Sequence, residues 1–117
     1  MEEAGMSKYA KRVDGNHSEI IAAYEKLGVC VLDLSKVAEL TRPGCPDLLC
    51  SLHGYTWCSE TKTDVGELSP AQISFFEWWK GACKVVRTTD DVVAVVKDVK
   101  AMTGAGRFVK IHKAGMT

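Results

Sequence analysis

Pro46-Asp47-Leu48-Leu49-Cys50-Ser51-Leu52-His53-Gly54-Tyr55-Thr56-Trp57-Cys58-Ser59-Glu60-Thr61-Lys62 is the stretch on which the fold turns. Two apolar runs, Asp47 to Leu52 and Tyr55 to Glu60, flank His53-Gly54, and that two-residue spacing signals a β-hairpin. Strand side chains alternate between faces, so Glu60 and Lys62 share one face while Thr61 takes the other. Trp57 points away from Glu60 by the same alternation and is expected in the core. Asp47 opens the partner strand directly after Pro46. Two carboxylates and an ammonium are thus expected to converge at one end of an otherwise apolar hairpin.

Working outward, Asn16 reads as a helix N-cap with Glu19 at N3, ahead of Ile20, Ile21, Ala23, Tyr24 and Leu27 at helical spacing. Gly28 closes that helix, and Val29 to Leu34 predicts a short buried strand. Residues 35 to 45, with Arg42-Pro43-Gly44, read as a loop long enough to suggest function. Beyond the hairpin, Ser69-Pro70-Ala71-Gln72 opens a second helix with an N-cap, proline at N1 and glutamine at N3. Phe75, Phe76, Trp78 and Trp79 form its body and Gly81 its stop. Cys83 to Arg87 predicts a strand, Thr89-Asp90-Asp91 caps a third helix running to about Ala101, and Arg107 to Ile111 a last strand. Residues 1–13 show no apolar period and read as a loose arm before a single domain, 14–117. The order α-β-β-β-α-β-α predicts an α/β protein, a mixed sheet covered by helices.

Composition narrows the function classes. The 117 residues are 46% hydrophobic and 26% charged, which suits one ordinary globular domain and not a long disordered chain. No apolar run reaches the roughly 18 to 20 residues of a membrane span, and the acidic start shows no signal peptide, so an intracellular (cytoplasmic) protein without membrane attachment is expected. Fifteen basic and fifteen acidic residues balance, which excludes a clamp holding nucleic acid by bulk charge. Lys97 to Thr117 is the locally basic segment, with five basic residues against the single acid Asp98. Five cysteines, an odd number, argue against a disulfide framework. Cys45, Cys50, His53 and Cys58 lie close together but lack the C-x-x-C knuckle spacing of structural zinc, and Cys50 and Cys58 sit in apolar runs where free cysteine acts as a small hydrophobe.

Carboxylates drawn together with a lysine among apolar residues cost desolvation energy unless a ligand compensates them. Hard divalent cations such as Mg²⁺ bind one or two carboxylates together with waters and phosphate oxygens. A neighbouring lysine can orient or deprotonate the attacking water, or stabilise charge developing on the phosphate. Asp47, Glu60 and Lys62 are therefore equipped for metal-assisted phosphodiester hydrolysis. Spacing alone favours a plainer reading of Glu60 and Lys62, an exposed ion pair on an edge strand. Trp78 and Trp79, with Phe75, fall at helical spacing that favours core or subunit interface over base stacking. Arg42 and Lys36, in the loop before Asp47, are the candidates for phosphate contact.

Four motifs in order place these residues in a family context. Gly44-Cys45-Pro46-Asp47, then Glu60-Thr61-Lys62, then Leu68-Ser69-Pro70-Ala71-Gln72, then Val85-Val86-Arg87-Thr88-Thr89-Asp90-Asp91-Val92 resemble the PD-(D/E)xK nucleases, and among them the VRR-NUC group often encoded by phages. The resemblance spans about Asp14 to Val99. It implies a restriction-endonuclease-like fold and a Mg²⁺- or Mn²⁺-dependent endodeoxyribonuclease in a bacterial or phage-infected cell. By that likeness Asp47 and Glu60 bind metal, the Thr61 carbonyl completes the coordination, and Lys62 activates water. Glu19 matches the family's helical acidic ligand, against its alternative as a cap for Asn16. Gln72 lies beside the family's active site, against its alternative as a cap for Ser69. Thr61 departs from the usual apolar residue, which suggests a less buried strand face.

Stand-alone members of the group resemble homodimeric enzymes cutting branched DNA, including four-way junctions. Surplus aromatic surface at Phe75, Phe76, Trp78 and Trp79 fits a homodimer. Three rivals remain: a sequence-specific restriction or homing endonuclease, an inactive DNA-binding module of the same fold, and a zinc-stabilised interaction domain.

Overall fold

A computed structural model describes residues 15–104. The expected N-terminal arm and the strand Arg107 to Ile111 lie outside the described residues. The element order is α1 (His17–Lys26), β1 (Cys30–Asp33), short 3₁₀ turns over Leu34–Leu40, β2 (Leu48–Leu52), β3 (Tyr55–Thr61), α2 (Pro70–Trp78), β4 (Ala82–Val86) and α3 (Thr89–Thr103). The four strands lie in the order β1-β2-β3-β4. The first two pairings are antiparallel and β3–β4 is parallel, so α2 is the crossover between β3 and β4. The chain is an α/β protein, a mixed sheet flanked by helices. None of the described helices is long and apolar enough to cross a membrane.

The hairpin forms where the sequence places it. His53 and Gly54 adopt φ of 53° and 82°, the paired left-handed geometry that matches strand twist in a two-residue turn. Leu48 faces Ser59 and Cys50 faces Trp57, which sets Leu48, Cys50 and Trp57 on one side of the sheet. Ile20 and Tyr24 from α1 and Val92, Val95, Val96 and Val99 from α3 pack there and complete the core. The Tyr24 hydroxyl pairs with Ser59 at 2.9 Å and accepts from the Trp57 indole at 3.4 Å, so the polar atoms of this core are mutually satisfied. Burial, which outweighs those hydrogen bonds, pushes the Tyr24 phenol up to about 12. Helix α2 covers part of the opposite face, against Glu60.

Cys50 and Cys58 consequently face opposite sides of the sheet, and His53 sits at the hairpin tip bonded to Thr103. The four residues weighed for zinc do not converge. Other boundaries shift for identifiable reasons. Part of the expected loop, Leu34–Leu40, is coiled into 3₁₀ turns kinked at Val37. Helix α2 ends at Trp78, before Gly81, because Trp79 turns extended and its indole donates to the Ala82 carbonyl. The cap of α3 is Thr88, whose hydroxyl accepts from the Asp91 N–H while Asp91 accepts from the Thr88 N–H.

Asn16 precedes α1 but its side chain makes no cap bond. Its amide instead donates to the carbonyls of Lys62 (3.2 Å) and Arg87 (2.8 Å), just past the ends of β3 and β4. Those carbonyls lie beyond the last rung of the ladder, and Asn16 supplies the donor the sheet no longer offers.

His17 reaches from α1 to Asp33 at the end of β1, with 3.2 Å between Nε2 and Oδ1. The Ser35 hydroxyl and N–H donate to the same oxygen. Burial raises the Asp33 carboxyl, but the bonds from Ser35 and His17 outweigh it, and the net shift is downward. A depressed carboxyl adds stability above its unfolded value, 3.8, and loses it as pH falls through the lower folded value. Asp33→Asn is therefore expected to cost roughly 1–2 kcal/mol at neutral pH and to flatten the acid limb of the stability profile. Denaturant midpoints measured from neutrality to strong acid check both.

Candidate active site

Asp47 and Glu60 meet because β2 and β3 pair antiparallel. Leu48 is opposite Ser59, so Asp47, one residue before it, lies beside Glu60 on the α2 face. Both carboxylates are almost wholly buried, at 1% and 2% exposure. The Asp47 Oδ2 accepts from the Thr61 N–H at 3.2 Å, which ties the start of β2 to the end of β3. Lys62 extends the Glu60 face, and its Nζ lies 3.7 Å from Glu60 Oε2 with the side chain 13% exposed. The pair is not the exposed one that spacing alone favours: Glu60 is buried and Lys62 partly so.

Gln72 serves both of its alternatives at once. Its Oε1 accepts from the Ser69 N–H at 2.8 Å and its N–H donates to the Ser69 hydroxyl, completing the capping box of α2. Its Nε2 donates to Glu60 Oε2 at 2.9 Å. The amide thus uses its acceptor to start the helix and its donor to hold the carboxylate. An amide can do this where a carboxylate, lacking a donor when ionised, cannot.

Gly44 locks the other approach. It has φ of 80°, and a Cβ there would fall 2.1 Å from the Ala71 carbonyl oxygen. Only glycine lets the Gly44-Cys45-Pro46-Asp47 loop lie this close to the first turn of α2. Asp47 and Gln72 are thereby held in one unit. Arg87 donates to the carbonyls of Thr63 and Gly66, pinning the loop that leaves Lys62, while Asn16 holds the Lys62 carbonyl. Sequence reasoning did not single out Asn16, Arg87 or Gly44 for these supports. Only the glycine, within the Pro-Gly and Gly-x-Pro-Asp pattern, carried a signal.

Thr61 is 1% exposed, so its strand face is fully buried, contrary to the expectation from its polar side chain. Its hydroxyl finds no hydrogen-bond partner among the described residues. Thr61→Val keeps the shape and removes an unsatisfied oxygen, and is expected to raise stability by about 1–2 kcal/mol, read from the denaturation midpoint.

Glu19 is not brought to the carboxylate pair. It is exposed on α1 and borders a groove with Lys26, Thr89 and Val93, because the buried stripe of α1 runs through His17, Ile20 and Tyr24. Among the described residues no group of three or more histidine, cysteine, aspartate or glutamate side chains is assembled for a metal ion. The acidic set is two carboxylates, not three. Lys36 is 78% exposed with its Nζ 3.9 Å from Asp33. The Arg42 guanidinium lies over the Trp78 ring, 3.7 Å from its centroid.

The donor chemistry of the pair suits a hard divalent cation. Two buried carboxylates lie side by side, the Lys62 ammonium is 3.7 Å from Glu60, and the Thr61 N–H bonds Asp47. Compared with protein-family models, curated proteins and solved structures, the chain matches none.

Proposed function

We propose that this chain is a metal-dependent endodeoxyribonuclease of the VRR-NUC type, acting on branched DNA such as four-way junctions. The observation that carries the reading is the buried pair Asp47 and Glu60 with the partly buried Lys62, drawn from two adjacent strand ends and tethered by Gln72. Burying two carboxylates beside one another costs several kcal/mol per ion unless something offsets it, and a structural role gives no reason to incur that cost. Asp47 and Glu60 are the residues to hold Mg²⁺ or Mn²⁺, with the Thr61 carbonyl as a further ligand. Such an ion, when bound, polarises the phosphate and offsets charge developing on it. Lys62 Nζ orients the attacking water and meets the negative charge that grows on the phosphate oxygens. Gln72 keeps Glu60 in one rotamer while this happens.

Glu19 takes no part in this set. Glu19→Gln is expected to leave both the cleavage rate and the Mg²⁺ requirement at wild-type values, measured by titrating Mg²⁺ at fixed DNA. A raised requirement would return Glu19 to the ligand set.

Paired cutting of a symmetric junction needs two such sites related by a twofold axis, so a homodimer belongs to the proposal. Among the described residues β1 is an edge strand, and it offers surface for joining two copies, with exposed Leu32 in it and exposed Val37 and Leu40 after it. Labelled linear, flap, fork and four-way substrates, incubated with and without Mg²⁺, test the function. Mg²⁺-dependent cutting of the branched forms supports it. Cutting of linear duplex at one self-complementary sequence favours a restriction or homing enzyme instead, and binding without cutting favours an inactive module.

A further inference from the structure

Trp78 is 46% exposed at the end of α2, and the Arg42 guanidinium lies over its ring, 3.7 Å from the centroid. Beside this stack is an open pocket of about 350 Å³ lined by Arg42, Pro43, Ala71, Ser74 and Phe75. Its two walls are the elements that build the candidate active site. The Arg42-Pro43 wall continues directly into Gly44 and Asp47, and the helical wall carries Gln72, the tether of Glu60. The pocket therefore neighbours the loop that leads to Asp47 and the helix that tethers Glu60. The pocket presents a planar cation, aromatic surface and one hydroxyl. A polyanion complements the cation, and a flat unpaired base complements the plane.

We propose that Arg42, Trp78 and Ser74 form a pocket for an unpaired nucleotide next to the scissile phosphate. The base stacks on the guanidinium plane that the Trp78 ring backs, Ser74 meets its edge, and the Arg42 N–H groups face its phosphate. The proposal rests on the nuclease reading and names what it lacks, a source of preference for forks and flaps over continuous duplex: their single-stranded arms supply an unpaired base without the cost of unstacking one. A second copy of the chain is the less suitable occupant, because a dry subunit interface would bury Arg42 and none of the other pocket-lining residues is a carboxylate to receive it.

Fluorescence anisotropy in EDTA, with a labelled blunt duplex and a fork of matching length as probes, tests this without cleavage. Wild type is expected to bind the fork more tightly. Trp78→Ala should weaken fork binding by about ten- to a hundredfold and leave blunt-duplex binding unchanged. Trp78→Phe should retain most of the preference, and Arg42→Lys, which keeps the charge but not the plane, should lose it. Arg42→Lys decides the matter should Trp78→Ala fail to fold. Equal losses on both probes, or none, would overturn the pocket. So would a Trp78→Ala protein whose light-scattering mass falls from dimer to monomer, since the face would then be a subunit interface. The two readings fail separately. Fork-specific loss in a wild-type protein that never cuts keeps the pocket and removes the nuclease. Mg²⁺-dependent cutting with wild-type fork binding in both variants does the reverse.

Discussion

Asp47→Ala, Glu60→Gln and Lys62→Ala are each expected to reduce DNA cleavage on the order of a thousandfold or more while the chain remains folded. The three groups act on the same transition state, so combining the substitutions should cost little beyond the worst single one. Glutamine is chosen at position 60 because it fills the volume of a residue that is 2% exposed and still bonds Gln72. Alanine there would strand the Lys62 ammonium beside a cavity and confuse lost chemistry with lost stability. Single-turnover cleavage of a labelled junction, paired with circular dichroism melting curves, separates the two. A variant that melts like wild type and cuts like wild type would remove its residue from the mechanism.

Gln72→Glu has the second largest expected effect, and it divides the two roles that one amide performs. A glutamate at this N3 position still completes the capping box, but it buries a further carboxylate against Glu60, so the melting temperature should fall at neutral pH and recover towards wild type in acid. What changes is the group facing Glu60 Oε2 at 2.9 Å, where a donor becomes a second carboxylate. Two carboxylates at that separation share a proton, which raises the value at which Glu60 ionises. Cleavage at neutral pH is expected to fall about a hundredfold, and the acid limb of the pH–rate profile should move to higher pH. A profile that overlays wild type would show that the Gln72 contact with Glu60 has no bearing on the chemistry.

The hairpin was legible in the sequence because two apolar runs of strand length flank the two-residue turn pair His53-Gly54. The buried carboxylate pair followed from strand alternation once the register was known. Gln72 was visible as two competing roles, and only the structure could show that an amide's two ends serve both. Glu19 misled because Asn16 and Glu19 have the spacing of a cap and of a helical ligand. Asn16 instead spends its amide on carbonyls 46 and 71 residues away, and helical geometry turns Glu19 towards α3. Contacts of that range leave no trace in local spacing. The Arg42–Trp78 stack is hidden for the same reason, since neither residue's neighbours announce the other. Thr61 misled in the opposite sense: a polar residue in a strand argues for exposure, and here it is buried with no partner for its hydroxyl among the described residues.

The most direct measurement is cleavage of one labelled four-way junction by the wild-type protein in Mg²⁺, then in excess EDTA, then with Mg²⁺ restored. Incision in the first and third conditions and none in the second is the result expected from Asp47 and Glu60 acting as metal ligands. Incision that persists undiminished in EDTA would contradict it.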